Sequence, residues 1–458
     1  MRRTFSTAAT AALLGLAAGN TAQAALFAVD SGPYGNDTAG FAAWYQDSHG
    51  RVLDLCLSKA LSSRVPGTPD APSYMCALLP EPGVFDDTGD IVFPGNFPSE
   101  AFWFTADAVI QQGGINLGYG AALEAAFNTE QPVDGDQISF ARIRLRVDLS
   151  SAGSYTITHP YGVEVFEVTA DDIGTDGVGA INLTRDIGIG APGDFSGALK
   201  GDVGPFLRSV NGPYEETDPD TGTLERFVGD PNLEEQVTGS PFGTNYLRIQ
   251  GPNGLDLRTE VFAVSGKLSQ VQLQTPLIIQ RSTYSRDSDA SGAPLQSQDL
   301  FVQAPPPPGL ASFRDSAGAS VEMTEADGTG HWYGQSTAAP TPLAELEVRA
   351  DNSAATPPNA ATTLPTTLVD QVTIERAEYN PGSGQLLIVA GSSDRIAQPV
   401  LTASDAASGT PIGQLDQPVE GDGALRRLDT GISPIPPARV TVNSANGGSD
   451  TEEVLIVQ

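Results

Sequence analysis

The chain is poor in the residue types on which recognisable catalytic chemistry is built. It holds three lysines (Lys59, Lys200, Lys267), three histidines and two cysteines in 458 residues. His49, His159 and His331 lie in separate segments with no ligand spacing between any pair, which argues against a zinc site. No G-x-S-x-G elbow is present, and Gly239-Ser240-Pro241 has neither the flanking small residues nor a partnered histidine. A P-loop is also missing. Gly188-Ile-Gly-Ala-Pro-Gly193 has the glycine spacing of a dinucleotide fingerprint, but no convincing strand pattern leads into it and no amphipathic helix pattern follows, so it reads as a glycine-rich loop. Beyond the N-terminal segment no run of 18 apolar residues occurs, so no spanning helix is expected.

Positive charge is the other shortage. Against 24 Lys and Arg stand 56 Asp and Glu, a formal net charge of −32. Such a surface repels DNA and anionic lipid, which removes nucleic acid and membrane surfaces as partners. It favours solubility in salt-rich surroundings and attracts Ca²⁺.

What is present begins with an export signal. Arg2-Arg3, the apolar stretch Ala8–Ala18 and the small-residue site Ala22-Gln-Ala24 predict a signal peptide over 1–24. Its loss takes the charge from −32 to −34, since Arg2 and Arg3 leave. The mature chain is expected outside the cytoplasm, in the periplasm or secreted. In that oxidising location Cys56 and Cys76 are expected to pair as a disulfide, contributing about 3 kcal/mol by loop closure.

The clearest organisation is a repeat. Leu277-Ile-Ile-Gln-Arg-Ser-Thr-Tyr284 and Val372-Thr-Ile-Glu-Arg-Ala-Glu-Tyr379 start 95 residues apart (372 − 277). Each is followed by an apolar run, Leu300–Ala304 and Leu386–Ala390, and by a closing strand pattern, Val348–Asn352 and Val442–Asn446. Fifty glycines and 35 prolines punctuate short β-type runs throughout. Together these predict an all-β, multi-domain protein: an N-terminal β-sandwich-like region over 25–270, then two tandem immunoglobulin-like β-sandwiches over 273–366 and 367–458. Apolar parity shifts within the first strand of each copy, from Leu277/Ile279 to Ser282/Tyr284 and from Val372/Ile374 to Ala377/Tyr379. That shift predicts a bulge or a strand that changes sheets. Pro305–Pro308 falls in a loop inside the first copy, and Ser353–Thr367 reads as the linker between copies. Within 25–270 the alternation of Ile138–Val147 marks a strand, Tyr119–Phe127 reads as helix or buried strand, and a domain break near 169 is an open alternative.

Three groups are candidate sites. Trp44-Tyr45, Phe93, Phe97 and Phe102-Trp-Phe104 read mainly as core. Trp103 points opposite the two phenylalanines and, with Trp44, is the candidate for an exposed ligand platform. Asp218-Pro-Asp-Thr-Gly222 with Glu225 puts Asp218, Asp220 and Glu225 in a glycine-containing turn suited either to an ordinary Asx turn or to calcium, the one cofactor considered; Asp171-Asp172 with Asp176-Gly177 is a second such turn. Asp86–Asp90 with Glu100 and Asp107 is the densest acidic cluster. A polysaccharide hydrolase needs two carboxyls roughly 5–10 Å apart, which sequence spacing does not fix.

Phe93-Pro-Gly-Asn-Phe-Pro-Ser-Glu-Ala-Phe-Trp103, Thr158-His-Pro-Tyr-Gly-Val163 and Thr238-Gly-Ser-Pro-Phe-Gly-Thr-Asn245 resemble segments of uncharacterised exported bacterial proteins with appended tandem immunoglobulin-like domains. The resemblance implies that architecture and an extracytoplasmic location, and carries over no catalytic residue. The expected function is a non-enzymatic binding or surface-structural protein with an extracellular partner, glycan or protein. The alternatives are a secreted polysaccharide-active hydrolase with its site in 25–270, and a Ca²⁺-dependent adhesin.

Overall fold

The computed structural model describes residues 26–173, 179–432 and 434–457. The expected signal peptide and the Asp176-Gly177 half of the second acidic turn lie outside these residues. The fold is all-β, in several antiparallel sheets stacked as sandwiches.

The N-terminal unit is built on long strands. Glu100–Gln112, Ile115–Phe127 and Gln137–Asp148 pair antiparallel along nearly their whole length, at the centre of a seven-stranded sheet. In the third of these, Ile143, Leu145 and Val147 are buried while Arg144 and Arg146 are exposed, as strict alternation demands. Tyr119–Phe127 is strand: pairing on both edges overrides the helix preference of its alanines. A six-stranded sheet beginning at Leu26–Val29 and a four-stranded one holding Gly153–His159 complete the unit.

Strands before and after residue 169 share one sheet. Ile181–Ile187 pairs with Gln137–Asp148, and Val261–Ser265 pairs with Glu100–Gln112, so later segments return to the same sheet. One continuous apolar core runs from Leu26 through Ile143, Phe206 and Val264.

The two repeats have the same topology strand for strand. Each pairs a five-stranded with a four-stranded sheet, and each closes the larger one with a short parallel strand: Val369–Asp370 on Ile278–Ser288, and Leu455–Ile456 on Val372–Asn380. Each has its own core, around Tyr284, Leu300 and Val348 in the first and Tyr379, Ile388 and Val442 in the second. The parity shift is a bulge. Register slips between Ile279 and Arg281 and between Ile374 and Arg376, while each strand stays in one sheet with its hairpin partner.

Two expectations change. Ser353–Thr367 is not a free linker, because Thr362–Thr367 pairs with Glu345–Ala350 and Leu368 is buried in the first repeat's core. The middle runs also match two residues differently from their sequence alignment. Ile279 faces Val302 and Ile374 faces Ala390, so Val302, rather than Ala304, is the counterpart of Ala390. A two-residue slip keeps every side chain on its face, which is why apolar pattern alone does not detect it.

The repeats meet through Asp394, which has no solvent exposure. Its carboxylate accepts from the Tyr284 hydroxyl at 2.9 Å and from Arg286 Nε at 3.0 Å, and Arg286 Nη2 also reaches it. Asn446 Nδ2 donates to the Tyr284 hydroxyl at 2.9 Å. Burial works to raise the Asp394 pKa, but the Arg286 guanidinium, the Ala397 amide and the Tyr284 hydroxyl together hold it below the ordinary value. Replacing Asp394 by Ala strips partners from Arg286 and Tyr284. The expected cost is roughly 2–3 kcal/mol, below that of a fully buried pair because Arg286 keeps some solvent contact. Scanning calorimetry should show the repeats melting earlier in Asp394→Ala, and an unchanged transition would remove this joint as a source of stability.

Candidate functional site

The sequence-selected residues do not converge on one site. Cys56 and Cys76 form the expected disulfide. It staples a segment with its own small core, including Met75, Leu78 and Phe85, against the outer side of the long-stranded sheet. Trp103 is not an exposed platform. It is fully buried, its Nε1 donates to the Ala42 carbonyl at 3.1 Å, and Tyr45 packs edge-on at 4.8 Å. The cause is a bulge: Phe102 faces Glu124 and Phe104 faces Leu123, so Trp103 is the extra residue and simple alternation fails there. Trp44 is half-buried at the edge of a surface groove shared with Lys267 and Pro357.

Asp218, Asp220 and Glu225 are not assembled as a calcium cage. Asp218 accepts the Asp220 amide at 2.8 Å in an Asx turn at a hairpin tip. Lys59 Nζ lies 3.9 Å from Asp220, and Lys267 Nζ 3.3 Å from Glu225. Two of the chain's three lysines thus stand against these acids. Among the described residues no three His, Cys, Asp or Glu side chains group so as to hold a metal. His159 is buried beside the Tyr119 ring, and the Ser240 hydroxyl is used to bind the Pro160 carbonyl at 2.7 Å. Neither is arranged for nucleophilic catalysis.

Two further concave sites involve the N-terminal unit; Glu100 and Asp107 of the first belong to the acidic cluster singled out in the sequence, whereas the second was not marked there as a site. The first is a pocket of about 240 Å³ between the outer face of the long-stranded sheet and the disulfide segment, lined by Leu79, Glu100, Phe102, Asp107, Glu124 and Arg142. Burial pushes the Glu124 carboxyl up to about 8; the Glu100 carboxylate, close enough to share a hydrogen bond, adds to the rise against Arg142. Both acids approach the same Arg142 Nη1, at 3.0 and 3.9 Å. Burial also raises Asp107, to about 6. Glu100 and Glu124 are close enough to share a hydrogen bond, and Asp107, opposite Gly120, lies four strand positions from Glu124, roughly 13 Å between backbone positions along the sheet.

The second is a cleft of about 300 Å³ between the N-terminal unit and the first repeat, with His49, Arg51 and Arg208 on one side and Pro306–Pro308 and Pro357 on the other. The turn Ser48–Gly50 builds its floor. Buried Asp47 accepts the amides of His49 at 2.9 Å, Arg51 at 2.8 Å and Phe206 at 2.9 Å, so both of its oxygens are engaged by backbone. That leaves Arg51 only a 3.7 Å approach to Asp47. Arg51 Nη1 and Arg208 Nε are buried with no hydrogen-bond partner. The Arg51 charge, followed by burial, pulls Arg208 down to about 10. The joint around the cleft is polar: His49 Nε2 meets the Thr329 carbonyl at 3.1 Å, and Asn359 Nδ2 donates to the Gly50 carbonyl at 3.0 Å. Arg51 and Arg208 are too far apart in the chain for any motif to join them; the only sequence signal was that cations are rare enough for each to matter.

No protein-family model matches the chain, and no curated protein does. Several solved structures are similar in part. One is a structure of a 1.5-MDa bacterial ice-binding adhesin described for host cell surface retention, 8% identical over 70% of this chain and 91% of that one, TM-score 0.15. Another is immunoglobulin domains 1–4 of Sidekick-1, 8% identical over 80% and 92%, TM-score 0.18. A third is the S-layer protein rSbsC, 9% identical over 78% and 52%, TM-score 0.13. At these TM-scores none of the likenesses carries an argument, and the architecture rests on the sheets themselves.

Two buried groups give opposite pH signatures. Glu124, with a folded value near 8 against an ordinary 4.5, binds its proton more tightly in the folded state. Its contribution is complete below pH 4.5 and is lost as pH rises through 8. Glu124→Gln should flatten the decline in stability between those values, read by denaturant unfolding at a series of pH. His49 is lowered to about 3 from 6.5, chiefly by burial and then by Arg51, and stays neutral in the joint. The unfolded chain alone takes up that proton, so stability should fall as pH drops from 6.5 toward 3. In His49→Gln that acid-side loss should shrink; identical slopes in wild type and variant would show that the joint does not hold His49 neutral.

Proposed function

We propose that the protein is an exported, non-enzymatic binding or surface-structural protein, whose two immunoglobulin-like units hold the N-terminal unit in place toward an extracellular ligand. The observation that supports this reading is the way the units are joined. At each joint the same end of a repeat, the loop after its second strand and the turn after its closing strand, reaches back onto the unit before it. Buried polar contacts stand where flexible linkers would otherwise be, which suits presentation of a unit at fixed orientation. Of the described residues, none belongs to a helix long and apolar enough to cross a membrane.

The test uses the mature chain, residues 25–458, with immobilised polysaccharides and intact bacterial surfaces. Retention without release of reducing ends is expected. Release of reducing ends that scales with protein and disappears in Glu124→Gln would replace this reading with the hydrolase.

A further inference from the structure

We propose that the cleft between the N-terminal unit and the first repeat is an anion-binding site, in which Arg51 and Arg208 together hold the carboxylate or sulfate of an acidic sugar residue. This deepens the binding function proposed above and rests on it for the ligand's origin.

Counting outward from the matched residues Val302 and Ala390, the counterpart of Asp394 in the first repeat is Pro306 (302 + 4 against 390 + 4). At the second joint an arginine of the preceding unit, Arg286, meets Asp394 and is neutralised. The first joint has two arginines on the preceding unit, and the corresponding loop offers them the prolines 306–308, which carry neither charge nor side-chain acceptor. The one carboxylate within reach, Asp47, has its oxygens committed to three backbone amides. Two guanidinium nitrogens therefore remain buried and unbonded, an arrangement that is costly unless a ligand oxygen completes it. The Arg208 pKa is depressed first by Arg51 and then by burial, with Asp47 offsetting only part of this.

Arginine pairs select oxyanions by charge and by planar fork geometry. The volume, about 300 Å³, is at the small end of ligand pockets and suits one sugar residue rather than a folded partner. In a chain of net charge −32, a site with two arginines and one committed acid is a local exception. An anionic ligand would also bridge the two walls of the cleft and tighten the joint.

Glucuronate, a sulfated monosaccharide, glucose and inorganic sulfate would be titrated into the mature chain by calorimetry and by thermal shift. Glucuronate or the sulfated sugar should bind and raise the melting temperature, weakening with salt, while glucose should not. Arg208→Gln should weaken binding by at least about tenfold. In ligand-free form it should melt no lower than wild type, because the repulsion from Arg51 is gone; this separates loss of the site from loss of the fold. Absence of binding by both acidic sugars, or binding unchanged in Arg208→Gln, would overturn the site. Inorganic sulfate binding as tightly as the sugars would overturn the assignment to a sugar. Surface retention surviving Arg208→Gln would sink this site as the determinant and leave the broader function standing, whereas failure of retention alone would count against that function.

Discussion

Buried charge must be neutralised where it sits, and this requirement governs how the three units meet. An arginine at the end of one unit cannot be covered by the next without an acceptor, since an unpaired buried ion costs more than the packing around it returns. Asp394 supplies that acceptor between the repeats, with Tyr284 and Asn446 using the remaining hydrogen-bonding capacity. The joint is therefore specific in a way that apolar contact alone would not be. The same demand applied to the first joint, with proline at the equivalent position, leaves Arg51 and Arg208 to share the Asp47 charge, each with a buried nitrogen that has no hydrogen-bond partner. One rule thus yields a closed joint in one place and an open site in the other.

Much of the fold could be read from pattern because β-structure writes its faces into the sequence with a period of two. The bulges at Gln280 and Glu375 were visible as a change of phase, since a one-residue insertion exchanges the faces beyond it. The same device misled at Trp103. There the bulge falls among consecutive aromatics, where every residue is apolar and a change of phase leaves no trace. The two-residue offset between the middle runs was invisible for the complementary reason, because a slip of two preserves every face. Thr362–Thr367 resembled a linker because an edge strand exposed on one side carries the small polar residues and proline of a connector.

The sites were less legible than the fold. Glu100, Glu124 and Arg142 come from three neighbouring strands, and their convergence depends on register that composition does not determine. Asp218, Asp220 and Glu225 had the spacing of a cation site, but Lys59 and Lys267 arrive from elsewhere in the chain and offset much of the local negative charge. Local acidity in an acidic chain carries little information; what carries more is where its few cations are placed.

Those placements separate two uses of positive charge. Arg142, Arg185 and Arg286 each sit against carboxylates at hydrogen-bond distance, so their charge is spent within the fold. Arg51 and Arg208 differ in that they repel each other, with Asp47 as their shared counter-charge. A pair of like charges persists in a folded protein only where surrounding structure holds it. Here the holding element is Asp47, which fixes the Ser48–Gly50 turn through backbone amides and approaches Arg51 Nη1 at 3.7 Å, while Arg51 lines the cleft. An acid at position 306 would have closed this joint as Asp394 closes the other. With proline there instead, the cleft sets two arginines against one acid in a chain of net charge −32.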